Sequence, residues 1–447
     1  MLARITKKKT LTVLLVIVAI GFATRYVLWI NPGYGFQGLS IYDTSTYTGF
    51  GTAYVEALRS MNITALSGIN PGVPPLSMIL VGLSVNLLGD ILGIIQAGLL
   101  VPITASALTA LPAYVISRKY SERSALFAAL LISLDPYLIQ YSSTYLDAVG
   151  TFFIATLVAC LSYSNNQRWY LPIAILSACL AVLTKLTFLI FVVILVILLV
   201  SQKLIGRRQA LYLLVIPALT LLASPWAWIA GTFEAAIKGN LQFNNLPLAV
   251  LLGPFIINIP QSLPWYVLSY LGMGQVSWNT LPHVAPLVLL FVIFYRSLRR
   301  NLSFPSLPGI AASSIILTIF LLPRDYWTYS WSGGAIQGVL SRQFYPYYFY
   351  PVGPFLAMLA AQLATSPNSG EPRPPRLVSY PIVATASLSP LAVVMNTGLH
   401  YWDFIFTLIY NYAQGQWVLE GLAMVVFTTA LLAAVLALAE FIHRRTR

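Results

Sequence analysis

Apolar runs recur along this chain at the length a helix needs to cross a bilayer. Residues 11–30 form the first, about 20 residues or roughly 30 Å of helix. Further runs occupy 93–117, 125–141, 210–229, 284–295, 309–323, 348–364, 380–396 and 417–441, with another span following Asp147. The stretch 169–201 is too long for one crossing and predicts a helical hairpin turning near residues 184–187. Residues 75–88 are apolar but short and open on Pro74-Pro75, which predicts a short helix at the outer interface. Residues 93–117 then form the second span. The pattern predicts an all-α polytopic bundle of about twelve spans. The dyad alternation of a membrane β-barrel is absent.

Composition narrows the class. Hydrophobic residues make up 58% of the 447 positions and charged residues 8%, against about 25% charged in a typical soluble domain. A soluble enzyme and a disordered chain are both excluded. The net charge of +13 would suggest a nucleic-acid partner, but the basic residues sit in short clusters between apolar runs, which is how topology is written. No nucleic-acid partner is expected. Those clusters are the N-terminal Arg4, Lys7, Lys8 and Lys9, then Arg118/Lys119/Arg123, Arg168, Lys203/Arg207/Arg208, Arg296/Arg299/Arg300, Arg373/Arg376 and Arg444/Arg445/Arg447.

If all the clusters are cytoplasmic, both termini are cytoplasmic and the first span is uncleaved. The chain is then one multi-pass integral membrane domain over 1–447, placed in the cell membrane. Its long loops fall on the outer side at 31–92, 231–283, 324–341 and 398–416, the first carrying amphipathic helices. Loops confined to one face put the work there. Cys160 and Cys179 lie inside apolar runs with neither metal-ligand nor disulfide spacing.

Acidic residues are few enough for position to be informative. The outer ones are Asp43, Glu56, Asp90, Asp147, Glu234, Asp325 and Asp403. Asp43 precedes residues 44–62, where Tyr47, Phe50, Tyr54, Leu58 and Met61 recur at helical spacing and predict a surface amphipathic helix. It fits both an N-cap and a general base held over the membrane. Asp147 closes the segment YSSTYLD and fits both a helix cap and a site acid. Asp135 stands before Pro136, so its peptide leaves helical geometry; an intramembrane acid fits a kink stabiliser and a functional group alike.

Lys185 is the lone charge in the run 169–201. It fits a snorkelling side chain or a phosphate ligand. Arg342 leads the aromatic run 344–350, and its fork suits phosphate. The aromatics fit an interface belt and a sugar-stacking surface equally. His283, His400 and His443 are scattered, with no zinc-triad spacing. A Walker loop and Gly-x-Ser-x-Gly are absent. Asn62-Ile63-Thr64 fits a glycan sequon on the outer loop.

The order of these features resembles the GT-C superfamily of membrane glycosyltransferases, nearest the protein mannosyltransferase and aminoarabinose transferase group. The matching features are the early acid Asp43 with Tyr47, then Pro74-Pro75-Leu76 running to Leu88-Gly89, then the basic turn 117–123. After these come 125–141 leading to Asp147, Leu183-Thr184-Lys185, and finally Arg342 before the aromatic and proline-rich 344–354. The resemblance covers residues 10–200 well and the rest loosely.

It implies a polyprenyl- or dolichyl-phosphate sugar donor, a protein, lipid or glycan acceptor, and inversion at the anomeric carbon on the outer face. Asp43 would serve as base, with Lys185 and Arg342 on the departing phosphate. Asp147 would organise the site or hold a divalent metal. Tyr47, Glu56 and Asp135 would support them. One departure is that Asp43 is followed by Thr44 rather than a second acid, which leaves Glu56 to substitute. The chain ends at Arg447 just past its last apolar run, so a soluble C-terminal domain of the oligosaccharyltransferase kind is not expected. A membrane transporter or lipid flippase and a non-catalytic assembly subunit are the competing classes. Charge gathered at the outer rim, with no matched Gly/Pro-broken helices in two halves, weighs against a transporter.

Overall fold

The computed structural model describes residues 2–30, 40–62, 65, 69, 74–164, 167, 169–224, 283–298, 306–321, 330–332, 335–337, 346–365, 376–396 and single positions between 430 and 441. The helices run α1 (Leu2–Ile30), α2 (Ser40–Arg59), α3 (Leu76–Leu92), α4 (Ile94–Leu108), α5 (Ala110–Ser117), α6 (Glu122–Leu134), α7 (Pro136–Gln140), α8 (Tyr145–Tyr163), α9 (Tyr170–Thr184), α10 (Thr187–Ser201) and α11 (Arg207–Ala223). Beyond them come α12 (Val284–Leu298), α13 (Ser306–Leu321), α14 (Gly353–Thr365) and α15 (Arg376–Asn396), with 3-10 turns at Tyr141–Ser143 and Pro346–Val352. One antiparallel pair, β1 (Ser330–Ser332) and β2 (Ala335–Gln337), departs from an all-helical chain.

Among the described residues, three helical stretches are long and apolar enough to cross a membrane: Lys9–Trp29, Ile94–Ser117 and Tyr145–Tyr163. A fourth, Glu122–Leu134 with Pro136–Ser143, qualifies if its 52° bend is counted within one span. The expected figure of about twelve is therefore not reached here. Several apolar runs form helices shorter than a full crossing, such as Tyr170–Thr184 and Thr187–Ser201. Most of the second large loop, 231–283, lies outside the described residues, as do 31–39 and 397–429.

The outward faces are apolar. Leu11, Leu15, Val16 and Ile20 of α1, Leu211 and Leu219 of α11, and Phe291 and Phe294 of α12 are exposed large hydrophobics. Water would not tolerate that much contiguous apolar surface, whereas lipid covers it without cost. Inside, one large cluster joins α5, α6, α8, α10, α12, α13 and α14. A second cluster sets α3 and α4 against Tyr145. A third sets Tyr54 and Ala57 of α2 against Met78 and Leu146.

α8 and α9 run antiparallel through the middle. Tyr163 and Tyr170 meet at one end, rings 5.6 Å apart, while Asp147 and Lys185 meet at the other. At the Tyr163 end, the basic turn folds onto the helix. Tyr163 donates its hydroxyl to the Val115 carbonyl at 3.2 Å, and the Lys119 ammonium lies 4.7 Å from the Tyr163 ring centroid. Gln362 of α14 donates to Ser117 at 3.1 Å. Arg118 pairs with Glu122 one turn on at 3.2 Å. The basic turn and the Asp147–Lys185 pair thus stand at opposite ends of α8, about 24 Å apart along the axis.

α2 runs Ser40–Arg59 rather than 44–62, so position 43 lies within its first turn and is not its cap. Its buried stripe is also displaced from the aromatic one. Leu58 and Met61 are exposed at 48% and 86%, whereas Thr44, Thr48, Gly51 and Val55 are buried. The reason is a close backbone contact with α3. A Cβ built on Gly82 would stand 2.0 Å from the Gly51 carbonyl oxygen, so the two helices can touch only where both lack side chains. Small residues therefore line the closest approach of α2 to α3, with Tyr54 and Val55 buried beside it.

Candidate active site

The run 169–201 breaks at its lone charge. Lys185 ends α9 in extended geometry, φ −155° and ψ 129°, and α10 begins at Thr187. Asp147 lies in the first turn of α8, whose N-cap is Thr144 rather than the acid itself. Each charge suits its helix end: a carboxylate near an N-terminus and a cation near a C-terminus both oppose the local dipole. The antiparallel pairing of α8 and α9 then brings them together. Lys185 Nζ donates to Asp147 Oδ1 at 2.8 Å and Oδ2 at 3.0 Å. The side chains are 18% and 8% exposed, so this is a largely desolvated ion pair rather than a snorkelled lysine.

Aromatic residues complete the surroundings. Lys185 Nζ lies 5.0 Å from the Tyr348 ring centroid, inside cation–π range. Two residues on, Tyr350 is buried and donates its hydroxyl to Ser106 Oγ of α4 at 2.6 Å. Ser106 Oγ also accepts from Arg25 Nε at 2.8 Å. Arg25 sits inside α1 and is fully buried. Its remaining nitrogens donate to the carbonyls of Gly21 at 2.9 Å, Ser133 at 2.8 Å and Ile132 at 2.9 Å. Ile132 and Ser133 belong to the last turn of α6, where the helix leaves its own carbonyls unpaired.

Asp135 is fully engaged. It caps α7, with Oδ1 accepting from the Tyr137 and Leu138 amides at 3.0 and 3.4 Å. Oδ2 accepts from the Ala285 amide at 2.7 Å and lies 2.8 Å from His283 Nδ1. The His283 ring stacks on Tyr137 at 4.5 Å. Asp135 therefore brackets the start of α12 against the bend between α6 and α7, and none of these bonds reaches Lys185.

α2 joins the same end of the bundle. Thr48 Oγ1 and the Tyr145 hydroxyl share a hydrogen bond of 3.0 Å, and the rings of Tyr47 and Tyr145 lie 5.8 Å apart. Tyr145 stands two residues before Asp147. Position 43 is one turn before Tyr47 on the same face of α2; the Asp43 side chain lies outside the described residues. Glu56 is exposed and about 20 Å further along α2, too far to act as a second acid beside position 43. Tyr54 donates to the Ile69 carbonyl at 2.9 Å, and burial pushes its phenol up to about 12. Arg342 lies outside the described residues.

Among the described residues no group of three His, Cys, Asp or Glu is placed to hold a metal ion. Both oxygens of Asp147 are turned to Lys185.

Two participants escaped the sequence reading, Arg25 and Ser106, while Tyr350 was read only as part of the aromatic run 344–350. Arg25 carried a usable signal, being a lone arginine within an apolar run of membrane-spanning length. Ser106 carried none, since a serine in an apolar helix is ordinary.

Residues 72–228, about a third of the chain, match the family model described as dolichyl-phosphate-mannose-protein mannosyltransferase. No curated protein sequence matches the chain. Among solved structures, ArnT from Cupriavidus metallidurans bound to undecaprenyl phosphate is 16% identical, covers 95% of this chain and 77% of that one, and gives a TM-score of 0.48. The same protein in its apo state is 16% identical over 87% of this chain and 72% of that one, with a TM-score of 0.44. The archaeal oligosaccharyltransferase AglB from Archaeoglobus fulgidus, in complex with an inhibitory peptide and a dolichol-phosphate, is 14% identical, with 94% of this chain matched to 56% of that one and a TM-score of 0.42. The family match takes in Pro74-Pro75-Leu76, Asp135, Asp147 and Lys185, and over that stretch the chain resembles this mannosyltransferase family.

Proposed function

We propose that this chain is an inverting membrane glycosyltransferase that moves a sugar from a polyprenyl- or dolichyl-phosphate donor to an acceptor on the non-cytoplasmic face. The observation that carries the reading is the Asp147–Lys185 pair, held at the end of α8 remote from the basic turn. The family match over residues 72–228 supports it. About twelve crossings with both termini cytoplasmic complete the proposed topology.

An anionic lipid headgroup arriving from the bilayer needs a fixed cation at the membrane surface. Two of the three ammonium donors of Lys185 go to Asp147, which aims the amine and leaves the third for a phosphate oxygen. In the proposed reaction an acceptor hydroxyl oxygen attacks the anomeric carbon from the face opposite the phosphate. The new glycosidic bond forms as the anomeric carbon–oxygen bond to phosphate breaks. The hydroxyl proton passes to the carboxylate of Asp43, and the bonding pair leaves with the lipid phosphate. Lys185 and Arg342 offset the charge gathering on that phosphate, an electrostatic contribution to lowering the barrier. Tyr47 and Tyr348 line the approach. The donor sugar is a hexose or a pentose, and the acceptor a protein, lipid or glycan.

The test is transfer by the purified chain in proteoliposomes given radiolabelled polyprenyl-phosphate sugars with peptide, lipid and glycan acceptors. The reading expects labelled acceptor and free polyprenyl phosphate in equal amounts, both lost in Lys185→Ala. Movement of intact lipid-linked sugar across the bilayer without cleavage would replace it with a flippase.

A further inference from the structure

We propose that Arg25 is a positioning residue of the Asp147–Lys185 site, acting through Ser106 and Tyr350 on the 3-10 segment that sets Tyr348 against Lys185. The proposal deepens the reading of Lys185 as a donor-phosphate ligand and rests on it for its functional meaning.

The chain of contacts is continuous. Arg25 Nε donates to Ser106 Oγ at 2.8 Å, and the same oxygen accepts the Tyr350 hydroxyl at 2.6 Å. A hydroxyl oxygen has two acceptor positions, so both are filled, one by a cation. The guanidinium thereby makes Ser106 a fixed acceptor and holds the Tyr350 O–H in one direction. Tyr350 and Tyr348 belong to one 3-10 segment, Pro346–Val352. At three residues per turn, side chains two apart point to different faces. One face can therefore be tied to Ser106 while the other presents Tyr348, whose ring centroid lies 5.0 Å from Lys185 Nζ.

Arg25 does more than satisfy a serine. Its other donors grip the carbonyls of Ile132 and Ser133 at the end of α6. A guanidinium is suited to this, because its rigid fork bonds several acceptors at once, whereas an ammonium concentrates its donors at one point. Four acceptors offset the cost of burying the cation. The result ties α1, α4, the end of α6 and the Tyr348 segment to one group.

The test reads Lys185 directly. The full chain in lipid nanodiscs is treated with an amine-acylating reagent, and acylation of Lys185 is followed by peptide mass spectrometry. Lys119, at the far end of α8, serves as the internal reference. Tyr350→Phe and Ser106→Ala are each expected to speed Lys185 acylation about five-fold, the scale of one lost hydrogen bond, without moving Lys119. Arg25→Lys should do the same, and should add nothing once Ser106 is alanine. Tyr348→Ala should speed acylation at least as much, and Tyr350→Phe in that background should add nothing.

Equal effects of Tyr350→Phe with and without the Tyr348 ring would overturn the proposal, as would no effect of Tyr350→Phe and Ser106→Ala in folded protein. Should Arg25→Lys fail to fold, those two variants still decide whether the relay exists. A separate arm adds polyprenyl phosphate to the wild type. Protection of Lys185 is expected, and its absence would sink the donor-phosphate reading while leaving the relay judged by the variants alone.

Discussion

Asp147 and Lys185 meet because two helices end beside each other in opposite senses. The acid is in the first turn of α8, the lysine is the residue that closes α9, and Nζ lies 2.8 and 3.0 Å from the two carboxylate oxygens. Each group has the other as its charge partner in a place where little water reaches.

Removing one partner should therefore be worse for the fold than removing both. Asp147→Asn leaves a cation facing an amide, and Lys185→Met leaves a bare carboxylate. Either should cost about 3–5 kcal/mol, and the double variant distinctly less. Chemical unfolding of the three variants in mixed micelles measures this. A loss in the double variant equal to the sum of the two single losses would mean that the pair contributes nothing as a pair. All three variants should lose sugar transfer, which separates the fold effect from the site effect.

Much of that pair was legible in advance, because charge is so rare in this chain that each instance carries weight. Lys185 interrupts an apolar run, and Asp147 follows a cluster of small polar residues. Their contact was not legible, since it depends on α8 and α9 running antiparallel with matched ends. Arg25 was lost inside a span judged by its mean character. The Asp135–His283 contact joins residues 148 apart, and three scattered histidines gave no reason to choose one. The buried stripe of α2 was misread for a simpler reason. Large apolar residues were taken to mark the packed face; Tyr54 is buried there, but Leu58 and Met61 are exposed, because the close approach of Gly51 to Gly82 selects small residues and shifts which side turns inward.

Asp135 should behave as a structural bracket. Its Oδ2 takes the Ala285 amide and the His283 ring nitrogen together. Asp135→Asn cannot keep both sets of bonds, since its amide nitrogen donates where an acceptor is required. A loss of about 2 kcal/mol is expected, along with faster hydrogen exchange in the first turn of α12. Unchanged exchange there would show that the bracket is dispensable. His283→Asn should cost less than Asp135→Asn, because an amide N–H can still donate to the Asp135 carboxylate.

Gly150 is a packing constraint on the Lys185 end of α10. A Cβ added there would stand 2.0 Å from the Phe188 ring, and Phe188 is the second residue of α10. Gly150→Ala forces the ring, the helix start or both to move, at about 1–3 kcal/mol. Phe188→Leu should relieve most of that cost when combined with it. Thermal unfolding of the single and double variants reads the compensation, and an additive result would place the strain elsewhere.

The last expectation concerns α2 as the carrier of Asp43. The helix is seated by the Gly51–Gly82 contact and by the 3.0 Å bond between Thr48 and Tyr145. A methyl at position 82 would stand 2.0 Å from the Gly51 carbonyl oxygen and 2.7 Å from a Val55 methyl, so Gly82→Ala must lift α2 from α3. Lys185 lies on other helices and keeps its partner. If Asp43 supplies the base from α2, Gly82→Ala should cut kcat by ten-fold or more, on the scale of a misplaced general base. Binding of polyprenyl phosphate, read as protection of Lys185, should stay within two-fold. Hydrogen exchange should quicken along α2 alone. A variant with loosened α2 and full turnover would remove Asp43 from the reaction and return attention to Asp147 as the acting carboxylate.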